Sequence, residues 1–221
     1  QSAVFSNNNV AANRIRKHMN VFRKTLKSHI ESKYHDRIDE YFDHAMEALE
    51  SALPAEHSYL GIETADQERA EKYLQLLLDK KQNEAMHYIG SLAYNKIKNV
   101  KAIYKSVIVP VQYEIGRLWQ SGEISVADEH FATETTKSVI SSLRTMYSRK
   151  NHKGKVITLA VGGEMHDMGI RVINEFLLMD GYEVLFLGTN TPMQSILDFA
   201  RKNSVDAIAL SITTTNYLWW T

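Results

Sequence analysis

The first part of the chain carries a helical pattern of apolar residues that no glycine or proline interrupts. Between about residues 10 and 51 the apolar positions recur every three or four residues, namely Ile15, Met19, Phe22, Leu26, Ile30, Tyr34, Ile38, Phe42, Met46 and Leu49. This spacing places them on one face, so we predict a long amphipathic helix, or two helices with a small break, ending before Pro54. A helix with one apolar stripe commonly pairs with another helix, and we therefore expect a homo-oligomer formed through helices.

A second block of helical pattern follows. Apolar spacing predicts four helices at about residues 65–81, 84–96, 100–121 and 126–149. Ser125 and Asp128 have the spacing of a reciprocal cap at the start of the fourth helix. Pro110 lies inside the third helix, where it should produce a kink because proline lacks a backbone N–H. Four helices with short connections predict an antiparallel bundle.

After a linker at residues 151–155, the pattern changes to alternating strands and helices. The run 155–160 is short, apolar and β-branched, as a buried parallel strand should be, and helical spacing follows over 169–179. Further strands are predicted at 183–187 and 206–210, and we expect Thr191 to cap the helix between them, with Pro192 as its first residue. We therefore predict an N-terminal helical extension over 1–62, a helical bundle over 63–150 and an α/β domain over 155–221.

Composition excludes several classes of function. The formal net charge is zero, and the basic start of the first helix is followed directly by acidic residues, so no nucleic-acid or anionic-membrane partner is indicated. The absence of cysteine excludes disulfides and thiolate metal sites and is consistent with a cytoplasmic location. No apolar run approaches about 18 residues, so no membrane span is predicted.

The loop after the first predicted strand contains candidate chemistry. Ligands of α/β sheets bind at the carboxyl ends of strands, where this loop places Glu164, His166 and Gly169. A carboxylate that accepts a proton from one imidazole nitrogen orients the other nitrogen for a metal, and glycine permits close backbone approach. A single loop histidine is more often structural, so the spacing to Glu164 and Gly169 is what makes His166 a candidate.

A second informative stretch joins the third and fourth predicted helices. It contains Trp119 and, after nine intervening residues, the adjacent pair Glu129 and His130. By itself it is typical of a helix end with a packed tryptophan. The adjacent side chains of Glu129 and His130 point about 100° apart on a helix, so they cannot both be buried easily.

Together the two stretches resemble the motifs of cobalamin-dependent photoreceptors. Those proteins carry Trp-x9-Glu-His in a helical cap and Asp-x-His-x-x-Gly in a flavodoxin-like (Rossmann-like) cobalamin-binding domain. The resemblance implies that His166 is the lower cobalt ligand, with Glu164 as its hydrogen-bond partner. It also implies that Trp119, Glu129 and His130 surround the upper ligand, with adenosylcobalamin as the expected cofactor. The corrinoid would then be held between the helical bundle and the α/β domain.

The same resemblance extends to further cofactor-binding residues, and it includes departures. Asp167 and Gly169 complete the loop motif, while Ser211 and Thr213 occupy the positions of the family's Ser-x-Leu, whose serine bonds the carboxylate or the nucleotide tail. Glu164 replaces the usual aspartate, and Gln120 replaces a histidine that ligates cobalt in related transcription factors. A complete domain of this type has about five strands, so with three predicted strands we expect the domain to be incomplete.

Three functions fit these observations. The main hypothesis is a light-responsive cobalamin sensor, which is not an enzyme and acts through an upstream or downstream signalling domain. The alternative is a corrinoid methyl-carrier protein of a methyltransferase system, which shares the lower motif and a helical cap. The third is a helical interaction module whose cobalamin site is degenerate.

Overall fold

The structure of the chain is a computed structural model, which describes residues 12–51, 58–60, 65–95, 99–147 and 153–213. In chain order the helices are α1 (Ala12–His29), α2 (His35–Ser51), α3 (Ala65–Leu78), α4 (Gln82–Tyr94), α5 (Val100–Ile103), α6 (Val109–Gln120), α7 (Val126–Leu143), α8 (Met168–Met179) and α9 (Met193–Asn203). The strands are β1 (Lys155–Ala160), β2 (Glu183–Gly188) and β3 (Ala207–Ser211). Short 3-10 turns cover Ser32–Tyr34 and Arg144–Met146.

The chain forms two compact units built from non-consecutive segments. The first comprises Gln1–Lys80 with Val109–Ala132, and the second comprises Lys81–Ile108 with Thr133–Thr221. One of the boundaries between the two units, between residues 132 and 133, therefore falls within helix α7. The predicted boundaries of the extension, the bundle and the α/β domain stay a prediction.

The first unit begins with a helical hairpin. Of the two expectations for this region, the structure has two helices with a break, because the 3-10 turn Ser32–Tyr34 separates α1 from α2. Helices α3 and α6 pack together through fully buried apolar side chains such as Tyr73, Leu77 and Ile115. These residues lie at the helical spacing that the sequence pattern predicts.

The predicted cap of helix α7 is confirmed. The backbone N–H of Ser125 donates to the Asp128 carboxylate at 2.9 Å, and the backbone N–H of Asp128 donates to the Ser125 hydroxyl at 3.2 Å. The two residues thus satisfy two N–H groups that the first turn of a helix leaves without intrahelical partners.

The irregularity expected at Pro110 takes a specific form. A π-helical turn, Tyr104–Ile108, lies between α5 and α6 and ends two residues before the proline. In a regular helix the proline ring would clash with the carbonyl of Ser106, four residues earlier, and that residue lies inside the π-helical turn. The wider turn accommodates the proline within a continuous helical segment.

The second unit contains a parallel three-stranded sheet in the order β2-β1-β3. Strand β1 is central and almost entirely buried, which explains its uninterrupted apolar character. Alternate residues of β1 face opposite sides of the sheet. Ile157 and Leu159 pack with Ile196 of α9, whereas the Thr158 hydroxyl donates to Asn174 of α8 at 3.1 Å.

The helical part of the second unit packs against the α/β part. The ring of Tyr104 meets the ring of Phe176 edge to face, with centroids 5.7 Å apart. Nearby, the Glu175 carboxylate of α8 is buried and accepts hydrogen bonds from Arg144, Tyr147 and Asn174. A buried carboxylate is tolerated here because several donors replace the water it has lost.

The predicted fold class is confirmed as a helical domain followed by a small parallel α/β domain. The strand order 2-1-3 is the beginning of the flavodoxin-like order. The predicted cap at Thr191 is wrong, because α9 begins at Met193 and the Thr191 hydroxyl donates to the Leu187 carbonyl instead. None of the helices in the described ranges has the length and apolar character needed to cross a membrane.

Candidate functional site

The strand order places a topological switch point at the carboxyl ends of β1 and β3. The chain leaves β1 for β2 on one side and then crosses to β3 on the other, so the two connections diverge at this edge of the sheet. Ligands of open α/β sheets bind at such a switch point. The loop 161–167 after β1 and the residues directly after β3 meet there, and they bring together Glu164, His166 and Thr213.

Glu164 is the centre of this arrangement, and its side chain is fully buried. One carboxylate oxygen accepts two hydrogen bonds from His166, one from the imidazole Nδ1 at 2.6 Å and one from the backbone N–H at 2.8 Å. The other oxygen accepts hydrogen bonds from the backbone N–H of Thr213, at 2.9 Å, and from the Thr213 hydroxyl. Each oxygen therefore has two donors, as a carboxylate removed from water requires.

The same contacts determine the charge of Glu164. Burial alone would raise its pKa, but the donors from Thr213 and His166 outweigh burial and lower the pKa to about 2. Glu164 is therefore ionised at neutral pH. An ionised carboxylate is an acceptor only, so the hydrogen in its bond with His166 belongs to the imidazole Nδ1.

His166 combines a fixed ring with an accessible nitrogen. Its side chain is 76% exposed although its Nδ1 is held by the buried carboxylate. With the proton on Nδ1, the Nε2 atom carries a lone pair and is able to bind a metal. The carboxylate orients this ring, which is the usual arrangement of a metal-binding histidine.

Asn190, which lies in the loop after β2, contacts the loop that carries His166 and stabilises it. Its side-chain oxygen accepts the backbone N–H of Gly163 at 3.1 Å, and its amide nitrogen contacts the Met165 sulfur at 3.5 Å. Gly163 has a φ of 83° and Asn190 a φ of 57°, so both occupy the left-handed region that glycine and asparagine tolerate best. The sequence analysis did not identify Asn190; its position after a parallel strand at the same sheet edge is the signal that would have found it.

Asp167 is held by ion pairs within the protein. One carboxylate oxygen lies 2.7 Å from Nε of Arg171, and the other lies 3.3 Å from Nζ of Lys137 on helix α7. The side chain is nearly buried. Asp167 therefore ties the loop of His166 to two helices, whereas its predicted contact with a cofactor stays a prediction.

Gly169 lies in the first turn of α8 and is exposed. A methyl group added at its Cα would meet no described atom within 4 Å. Packing against other parts of the described chain therefore does not explain why a glycine occupies this position. The open space beside the His166 loop instead suits the close approach of a flat ligand.

The hydroxyl partner of Glu164 is Thr213, which corrects the expectation for Ser211. Thr213 lies just beyond the end of β3, where both its N–H and its hydroxyl reach the buried carboxylate. Ser211 still lies within the strand, and its carbonyl accepts the backbone N–H of Val161 at 3.1 Å. A contact between Ser211 and a nucleotide tail, the other expectation, stays a prediction.

The second predicted set of residues, Trp119, Glu129 and His130, lies in the first unit. Trp119 is half-buried in the last turn of α6, and its carbonyl accepts the N–H of Gly122 at 3.0 Å. Gly122 has a φ of 76°, the left-handed conformation that commonly ends a helix. Arg117 fixes the following turn by donating to Glu123 at 2.9 Å.

Glu129 and His130 pair with each other in the first turn of α7. The Nδ1 atom of His130 lies 2.6 Å from a carboxylate oxygen of Glu129, and the His130 side chain is 73% exposed. This agrees with the expectation that the two adjacent side chains are not both buried. His130 thus presents a second imidazole oriented by a carboxylate, and its predicted role beside an upper ligand stays a prediction.

The donor set fits a metal that brings most of its own ligands. Within the described ranges no group of three or more histidine, aspartate or glutamate side chains converges on one point. A metal bound by protein side chains alone needs several such donors. A corrinoid brings ring nitrogens of its own to cobalt, so a single protein donor such as Nε2 of His166 would be sufficient to hold it.

Comparison with known protein families agrees with this fit. Two family models, each described as a B12 binding domain, match residues 60–144 and 154–221. The chain therefore contains two adjacent B12-binding domains, one helical and one α/β, and cobalamin binding is supported. The expected adenosyl form of the cofactor is not tested by these matches.

The chain is similar to proteins described as methionine synthases and as corrinoid proteins. The methionine synthase of Mycobacterium tuberculosis is 28% identical over 100 residues, which are 44% of this chain and 8% of that protein. A corrinoid protein of Desulfitobacterium hafniense is 28% identical over 108 residues, which are 46% of this chain and 50% of that protein. The match thus spans at most half the length of these relatives.

A solved structure shows the same fold. The monomethylamine corrinoid protein of Methanosarcina barkeri superposes with a TM-score of 0.59 at 18% identity, covering 70% of this chain and 74% of that chain. These similar proteins are described as corrinoid proteins and methionine synthase, and not as photoreceptors. The resemblance is therefore supported for cobalamin binding, whereas the photoreceptor function stays a prediction.

Proposed function

We propose that this pair of B12-binding domains belongs to a corrinoid carrier protein, which holds a methyl group for a methyltransferase. This was the alternative to the light-responsive sensor in the sequence analysis. The observation that carries the proposal is the ionised, buried Glu164, which holds the exposed imidazole of His166 with one nitrogen open. The nature of the similar proteins favours carriage of a methyl group over light sensing.

In this proposal Nε2 of His166 would hold the cobalt of the corrinoid. Cobalt, when bound there, supplies the chemistry of accepting and releasing a methyl group. The protein holds the proton at Nδ1, because the four hydrogen bonds to Glu164 keep that carboxylate ionised. The carboxylate therefore holds the imidazole in one orientation through Nδ1 and leaves Nε2 outside that hydrogen bond.

The carrier function needs a partner that supplies or removes the methyl group. We propose a methyltransferase domain or subunit as this partner, and methyl rather than adenosyl as the upper ligand. Under this proposal the chain is not itself an enzyme.

Two measurements test the proposal. Hydroxocobalamin is added to the purified protein, and the absorbance spectrum is compared between the wild type, His166→Ala and Glu164→Gln. We expect His166→Ala to lose the spectrum of imidazole-bound cobalt, and Glu164→Gln to weaken retention by about tenfold to a hundredfold, the usual effect of removing a ligand's hydrogen-bond partner. Wild-type spectra for both variants would contradict the placement of cobalt at His166.

The second measurement separates the carrier from the sensor. The protein loaded with methylcobalamin is incubated in the dark with a corrinoid-dependent methyltransferase and its thiol acceptor, and methylated thiol is measured. A carrier gives up its methyl group faster than free methylcobalamin. A protein that transfers no methyl group, but changes its oligomeric state on green illumination when loaded with adenosylcobalamin, would be a sensor.

A further inference from the structure

Helices α1 and α2 form a hairpin whose inner seam is held by charged and aromatic contacts. Nε of Arg23 lies 2.6 Å from Asp39, and Nη1 of Arg23 lies 2.7 Å from Asp43. The rings of Phe22 and Phe42 meet edge to face with centroids 5.8 Å apart. We call this segment, residues 12–51, the N-terminal hairpin.

The N-terminal hairpin leaves apolar side chains uncovered. Among residues 16–48, whose side chains the structure describes, none is buried. Val21 is 57% exposed and Tyr41 is 65% exposed, although both lie in regular helices. Helices of this length gain most of their stability from packing an apolar face against another element. The hairpin therefore has the character of one half of a larger helical assembly.

The charges of the two helices are opposite. Helix α1 carries lysine and arginine and no acidic residue, whereas α2 is acidic apart from Arg37 and its histidines. On the outer face of α1, Lys17, Val21 and Lys24 follow each other at helical spacing, and all three are exposed. On α2 the exposed residues Asp36 and Glu40 lie one turn apart, next to Tyr41.

We propose that the N-terminal hairpin is the docking surface for a second copy of this chain. In a two-fold symmetric pair, the basic face of α1 lies on the acidic face of α2 in the second copy, and the reverse contact forms at the same time. Both contacts join opposite charges and cover Val21 and Tyr41. Pairing α1 with α1 would place lysines against lysines, which is unfavourable, so the charges also select the arrangement.

A different occupant is disfavoured by the same charges. A nucleic acid would be attracted by the basic face of α1, but the acidic face of α2 in the same hairpin would repel it. An acidic or basic protein would complement one helix and oppose the other. A second copy of the hairpin complements both.

The test exchanges the charges of each face in the full 221-residue chain. One variant carries Lys17→Glu with Lys24→Glu, and the other carries Asp36→Lys with Glu40→Lys. We expect the wild type to sediment as a dimer near physiological ionic strength. Each variant alone should raise the dissociation constant of the dimer by about tenfold or more, because two-fold symmetry counts every exchanged charge twice.

Mixing the two variants gives the decisive result. The first variant has two acidic faces and the second has two basic faces, so the mixture should form a heterodimer of about wild-type affinity. The control variants Lys202→Glu and Glu68→Lys make the same kinds of change at exposed positions outside the hairpin, and they should dimerise normally.

Three outcomes would overturn the proposal: a wild-type chain that stays monomeric as its concentration rises, a dimer that tolerates both exchanged variants, or a mixture that fails to associate. Circular dichroism of each variant checks that helical content is kept, so loss of folding cannot be mistaken for loss of association.

Discussion

Nζ of Lys137 lies 3.3 Å from the carboxylate of Asp167, the residue next to His166. Helix α7 is thereby joined directly to the loop that carries the candidate cobalt ligand. Lys137 also lies 2.9 Å from Glu134 on the same helix, which limits the positions that its ammonium group can take. The position of the imidazole thus depends on the helical segment as well as on the sheet.

We predict that Lys137→Met weakens corrinoid binding without removing any ligand. Asp167 would keep Arg171 as a partner but lose its connection to α7, so the His166 loop becomes less ordered. Titration with hydroxocobalamin, followed by absorbance, should show a dissociation constant raised about threefold to tenfold, less than for loss of a direct partner of the ligand. Lys137→Arg keeps the charge and should bind nearly normally. Equal affinities for wild type and Lys137→Met would show that the contact does not position the loop.

Thr213 and Ser211 should differ sharply in their contribution to the site. Thr213→Val keeps the shape and the backbone N–H bond to Glu164 but removes the hydroxyl donor. We expect it to lower the free energy of unfolding by about 1–2 kcal/mol, because a buried carboxylate loses one donor. Ser211→Ala should change stability by less than about 0.5 kcal/mol. Urea unfolding of the corrinoid-free protein measures both, and the reverse order would refute the assignment of Thr213.

The local features of this fold were predictable from sequence. The apolar run of β1 and the reciprocal cap of Ser125 and Asp128 depend only on neighbouring residues, and the structure confirms both. Thr191 shows the limit of such reasoning, since its hydroxyl reaches back to the Leu187 carbonyl instead of capping α9. Here the path of the loop prevails over the local preference for capping.

The candidate site was predictable only in part. Glu164 and His166 are two residues apart, so their spacing alone indicated the hydrogen bond that the structure contains. Thr213, Asn190 and Lys137 reach the same loop from distant parts of the chain. Their contacts depend on the strand order and on the packing of α7, which no local pattern specifies.

The helical unit should lose stability in acid through Glu114. One oxygen of this nearly buried carboxylate lies 2.8 Å from the Arg117 guanidinium, and the other accepts a hydrogen bond from the backbone N–H of Tyr59 at 2.8 Å. Burial alone would raise its pKa, but Arg117 and Tyr59 outweigh burial and hold the pKa below its ordinary value of 4.5. A lowered pKa in the folded state stabilises the protein above the unfolded value, and this stabilisation is lost as the pH falls through the folded value.

Glu114→Gln removes this dependence because an amide does not titrate. We expect it to be about 1–2 kcal/mol less stable than the wild type at neutral pH, since the bond to Arg117 loses its charge. The difference should shrink as the pH falls below about 4.5, because the unfolded wild type then binds a proton at Glu114 that the folded state does not yet bind. Thermal unfolding of the wild type and of Glu114→Gln as a function of pH measures this difference in stability. A constant difference down to the acid limit would show that Glu114 does not titrate with folding.

Glu175 is a charged side chain in the interior of the second unit. It is 1% exposed, and it forms an ion pair with Arg144. Arg144→Met leaves the carboxylate without that cation and should cost about 2 kcal/mol, less than a fully buried pair because the Arg144 side chain is 44% exposed.

The double variant Arg144→Met with Glu175→Leu separates charge from packing. If the cost of Arg144→Met comes from an uncompensated buried carboxylate, removing the carboxylate as well should recover most of it, because an apolar pair needs no compensation. Tyr147 and Asn174 limit the recovery, since both lose their acceptor and must turn to water or to each other. Urea unfolding of the two single variants and the double variant gives the coupling free energy. A double variant as unstable as the sum of the single changes would mean that the two side chains act independently.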